Sequence, residues 1–143
     1  MGGVFLTLVG SAAGSGPAVT ITVNPYIVTA FNTLGSPATA NISFNSTGAT
    51  TEAINGGAAT TLYNWCVPAA EAGNYEIYAT LTSGSVSGGS SAFNTWLALS
   101  TNRAWQVSTS SGIASAIINV GIRRSGSTTI LASADIELYA EST

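Results

Sequence analysis

The chain of 143 residues has no histidine, no lysine and a single cysteine. Without histidine, the commonest general base is missing, and with it the Ser-His-Asp arrangement and most zinc sites. Without lysine there is no Schiff base and no phosphate-binding P-loop. One cysteine, Cys66, allows no disulfide within the chain. It stands in an apolar run between Trp65 and Val67, where a free thiol behaves as a small hydrophobe. Only one aspartate is present, too few for a calcium loop. Charge is scarce altogether: Asp, Glu, Lys and Arg make up 6% of the residues, against about 25% in ordinary domains.

Each scarcity removes a class of partner. Arg103, Arg123 and Arg124 are the only cations, and the net charge is −3. A nucleic-acid interface needs a stripe of cations to displace counterions, so none is expected. No apolar run approaches 18 residues, so no membrane span is expected either. Neither a metal nor a cofactor is implied. Gly84 to Gly89 precedes no helix and is no dinucleotide loop. Glu76 with Asp135 or Glu137 is the one carboxylate combination that a sheet face could bring together for glycoside hydrolysis. Outward charges that discourage edge pairing are the simpler account of them, and no enzyme is expected.

What the chain has in abundance is hydroxyl and backbone: 38 Ser and Thr and 16 Gly. Val, Leu, Ile and Phe still supply 33 residues, enough for a core. The apolar residues alternate. In 75–81, Tyr75, Ile77, Ala79 and Leu81 point one way and Glu76, Tyr78 and Thr80 the other, the period of a half-buried strand. The same pattern recurs at 18–24, 40–45, 116–123 and, longest of all, 129–140, where Ile130, Ala132, Ala134, Ile136, Leu138 and Ala140 share the inward side. Residues 93–99 read as a further strand. Asn55-Gly56-Gly57 is a turn, and 69–73 fits one helical turn closed by Gly73. Eight or nine short strands with turn signals between them predict an all-β chain. The expected form is an antiparallel two-sheet β-sandwich of jelly-roll type, with an immunoglobulin-like sandwich as the alternative.

The aromatic residues Trp65, Tyr75, Trp96 and Trp105 are expected in the core, since strand aromatics usually pack against their neighbours. A sugar-binding face is the other use for them. Arg123 and Arg124 end a strand. They read as a solvated turn paired with Asp135 or Glu137, or as an anchor for an acidic partner.

The N-terminal 17 residues read as a separate arm, with 18–143 as the single sandwich domain. Val4, Phe5, Leu6, Leu8 and Val9 form an apolar strand, tethered by a Gly/Ser/Ala stretch from 10 to 17. They lack the basic residue that would precede a signal sequence. Such a strand returns to its own sheet or adds to the sheet edge of a neighbour. The five residues are therefore candidates for partner binding, together with Arg123 and Arg124.

One resemblance bears on function. Gly73-Asn74-Tyr75-Glu76-Ile77-Tyr78-Ala79-Thr80, the Ser/Gly loop after it, Trp96-Leu97-Ala98-Leu99-Ser100, Arg103-Ala104-Trp105 and the ending from Ile122 to Ala132 resemble a recurrent segment in small virion proteins of tailed bacteriophages. The likeness spans about the C-terminal half. It implies a non-enzymatic structural protein of the virion. The expected form is a head decoration (cementing) protein on the capsid surface, bound to the major capsid protein or another virion protein as a homo-oligomer, dimer or trimer. The alternative that it implies is a tail or fibre-associated β module that binds a host glycan.

Overall fold

The structure, a computed structural model, describes residues 21–44, 49–64, 69–89 and 92–143. The arm residues Val4, Phe5, Leu6, Leu8 and Val9, and also Trp65 and Cys66, lie outside the described residues. Ten strands are described: β1 (Tyr26–Asn32), β2 (Ala38–Phe44), β3 (Ala49–Ile54), β4 (Thr60–Asn64), β5 (Tyr75–Gly84), β6 (Gly88–Gly89), β7 (Leu97–Ala98), β8 (Arg103–Thr109), β9 (Gly112–Arg124) and β10 (Ile130–Ser142). A 3-10 helix at Ala69–Asn74 occupies the predicted helical turn.

The strands form two five-stranded sheets, β1-β10-β9-β5-β7 and β4-β3-β2-β8-β6. Every pairing is antiparallel except that of β1 with β10. The chain is thus the all-β two-sheet sandwich that its alternation predicts. The neighbours β5-β9-β10 and β2-β8-β6 are arranged like the C-F-G and B-E-D groups of an immunoglobulin-like sandwich, while β3 and β4 stand where that sandwich has its first strand. The end of β10 holds β1 in its parallel place. Thr143 N donates to Asn32 O at 3.1 Å, and Ser142 Oγ lies 2.7 Å from the carbonyls of both Thr33 and Ser36.

The core lies between the sheets. Val28, Ala30, Ile77, Ala79, Ile118, Val120, Ile122, Ile136, Leu138 and Ala140 face it from the first sheet; Ala38, Ala40, Ile42, Phe44, Trp105 and Val107 face it from the second. Each large side chain buried there contributes about 1.5–3 kcal/mol relative to an exposed one. Trp105, 2% exposed, is the largest of them. Phe93 stacks on it with centroids 6.0 Å apart at 15°, and Phe44 meets it edge-on.

Two irregularities change what faces where. β10 shifts register between Ile130 and Ala132. Ile130, predicted inward, consequently pairs with Arg123 and is 48% exposed. Residues 93–99 do not form one strand. Asn94 takes a left-handed conformation (φ 60°) and its side-chain oxygen accepts from Thr80 Oγ1 at 3.2 Å, so only Leu97–Ala98 pairs with β5.

Candidate interaction surface

The two outer faces differ in chemistry. On the second sheet, the outward positions include Thr39, Asn41 and Ser43 of β2, Thr51 and Ala53 of β3, and Ala104, Gln106 and Ser108 of β8. The charged residues of that sheet, Glu52 and Arg103, both stand at inward positions, opposite Ile42 and Phe44. Among the described residues, the outer face of the second sheet therefore carries no charge. Its hydroxyls pair with one another, as Thr39 and Ser108 do at 2.9 Å.

The first sheet holds both the remaining strand charges and the exposed apolar side chains. Glu76, Arg123, Asp135, Glu137 and Glu141 all point outward from it. On β1, Ile27 (55% exposed) and Phe31 (61%) are uncovered, and so is Ile113 (61%) on β9, across Glu141 from Phe31. Phe31 is tilted against Tyr139, with centroids 6.0 Å apart. The sequence held a signal for this stripe that the alternation pattern passed over. β1 is apolar at both parities, with Val28 and Ala30 on one side and Ile27 and Phe31 on the other, so one set had to remain outside.

Beside the stripe lies an open groove of about 540 Å³, lined by Pro25, Tyr26, Ile27, Ile117, Asp135 and Glu137. Asn119 Nδ2 donates to Asp135 Oδ1 at 2.9 Å. Tyr26 stands near Glu52, and burial together with that carboxylate raises its pKa above 10.0. Tyr139 donates to Glu141 Oε1 at 2.7 Å, and the carboxylate raises its pKa likewise.

The other side of the sheet corrects two expectations and bears on a third reading. Trp96 is not in the core. It is half-buried on the outer face, 5.1 Å from the Tyr78 ring, because the turn at Asn94 carries it over the edge of β5. Arg123 pairs with Glu76, its cross-strand neighbour, at 2.9 Å, and not with Asp135 or Glu137. Its guanidinium carbon stands 4.1 Å from the centre of the Trp96 ring, so a cation covers an aromatic face that would otherwise be open to stack on a sugar. Finally, Glu76 and Asp135 do not meet. They are two strands and four residues apart, about 16 Å from strand spacing and rise. Paired carboxylates in glycoside hydrolysis stand about 5–9.5 Å apart.

Arg124 turns the other way, over Tyr75, with its carbon 5.3 Å from that ring. Tyr75 is a core residue as predicted, 2% exposed. Arg103 is buried. Its guanidinium donates to the carbonyls of Ala98 at 2.9 Å and Asn102 at 3.0 Å, and burial lowers its pKa. Among the described residues, no three of His, Cys, Asp and Glu stand where they could hold a metal ion. No helix among them is long and apolar enough to cross a membrane. Compared with family models, with curated proteins and with solved structures, the chain matches none.

Proposed function

We propose that this chain is a non-enzymatic structural protein of a phage virion, a decoration (cementing) protein that stabilises the head lattice by binding the major capsid protein. The observation that carries the reading is the set of exposed apolar side chains Ile27, Phe31 and Ile113, which stand open beside Glu137 and Glu141 on one sheet face of a protein with very little charge. A surface of this kind gains most when a neighbour covers it. The resemblance of the C-terminal half to small virion proteins supplies the identity of that neighbour. A protein that binds the assembled lattice, and not its dissociated subunits, stabilises the lattice by mass action.

The test compares particles with and without the protein. Particles lacking it assemble, but rupture at a lower temperature and under milder osmotic shock. Adding back the purified chain restores the profile, and a Phe31→Ser, Ile113→Ser variant restores it poorly. Identical rupture at full occupancy and at none would remove the cementing role. A band of 14.3 kDa present in only a few copies per particle would move the chain to the tail or fibre, where a glycan-binding assay becomes the next measurement.

A further inference from the structure

We propose that the chain binds a second copy of itself, the β9–β10 hairpin tip of one copy entering the groove beside β1 of the next. Two patches on the first sheet have opposite and matching chemistry. The groove combines apolar walls, Ile27 and Ile117, with two carboxylates, Asp135 and Glu137. Neither carboxylate has a cation, because the one ion pair among the described residues joins Arg123 to Glu76.

The hairpin tip has the complementary character. Ile130 and Leu131 are each 48% exposed, and Arg124 is exposed on the opposite face of the same tip, over Tyr75. Arg124 touches only the Tyr75 ring and, at 3.5 Å, its hydroxyl. The other two cations are already engaged, Arg103 in the interior and Arg123 on Glu76. Among the described residues, Arg124 is therefore the one exposed cation without a carboxylate.

A tip cannot reach the groove of its own copy. Ile117 and Arg124 are seven residues apart along β9, about 23 Å of extended strand, and the paired ladder with β10 keeps that strand straight. Only another copy can bring the two patches together. Since they are different patches, the contact is made twice about a twofold axis, passed round a ring, or repeated along an open filament. The inference is independent of the decoration reading, because it concerns the isolated chain.

Sedimentation of the purified full-length protein tests it. The wild type should associate, more tightly at low ionic strength than at high. Arg124→Glu, which also gives up the contact with Tyr75, and Glu137→Arg should each stay folded and weaken association about tenfold or more. The double variant should recover it, since its tip carboxylate again meets an arginine in the groove, and an equimolar mixture of the two single variants should recover it wherever the two alternate. Should either reversal fail to fold, Arg124→Gln and Leu131→Ser carry the same expectation of weaker association. A wild type that stays monomeric at low salt overturns the proposal. So does an oligomer that Arg124→Glu leaves unchanged, or a double variant that associates no better than the single ones.

Discussion

The guanidinium of Arg123 lies over the indole of Trp96 at 4.1 Å while its Nε donates to Glu76 at 2.9 Å. One side chain therefore ties β9, β5 and the segment before β7 together on the outer face. It also makes Trp96 an accessory of that surface.

The two tryptophans should consequently differ in stability. Trp105→Ala removes the centre of the core and should cost about 3–5 kcal/mol. Trp96→Ala loses a half-covered packing contact and a cation–π contact, and should cost about 1–2 kcal/mol. Urea denaturation of both variants measures the difference. Equal costs would show that Trp96 supports the fold as much as Trp105 does.

Asn55 should be hard to replace. It begins the β3–β4 turn with φ 53°, followed by Gly56 at 75°. Its side chain accepts from Thr39 N and donates to Phe31 O, both at 2.9 Å, so it joins the two sheets. Asn55→Gly keeps the turn but loses both bonds, at about 1–2 kcal/mol. Asn55→Ala adds the left-handed strain and should cost about 1 kcal/mol more. The order Asn, Gly, Ala in denaturant midpoint is the check.

Two glycines with positive φ should respond unequally to alanine. Gly84 (φ 73°) sits where a Cβ would strike the Ser115 carbonyl, whereas Gly126 (φ 78°) faces open space. Gly126→Ala should cost about 1 kcal/mol, from backbone strain alone. Gly84→Ala must also displace β9 backbone and should cost clearly more. Thermal melts of the two variants rank them.

The pH dependence should be concentrated at the alkaline end. Tyr26 and Tyr139 have folded pKa values raised above 10.0. The folded state favours the neutral phenols beside Glu52 and Glu141, so their contribution is complete below pH 10 and is lost as pH rises through the folded values. The chain has no histidine to add a transition between about pH 5 and 8. Melting temperature followed from neutral to strongly alkaline pH should stay level and then fall, and Tyr139→Phe should make the fall shallower. An unchanged slope in that variant would contradict the assignment.

Much of the fold was legible in the residue pattern because strand alternation is a local property. Tyr75, Ile77 and Ala79 against Glu76, Tyr78 and Thr80 declare one buried face whatever the partner strand is, and Asn55-Gly56 declares a turn through its own backbone preference. The absence of histidine and lysine is likewise a fact of the sequence alone. Relations across the sheet were decided only by the tertiary structure. Whether Arg123 meets Glu76 or Glu137 depends on which strand lies on which side of β9, and alternation carries no information about strand order. The register shift that exposes Ile130 and the left-handed Asn94 that moves Trp96 outward each reverse a face by one residue. With a side-chain period of two, a single such step sends a residue predicted for the core to the surface. The distance between the groove and the hairpin tip was likewise set only by the pairing of β9 with β10.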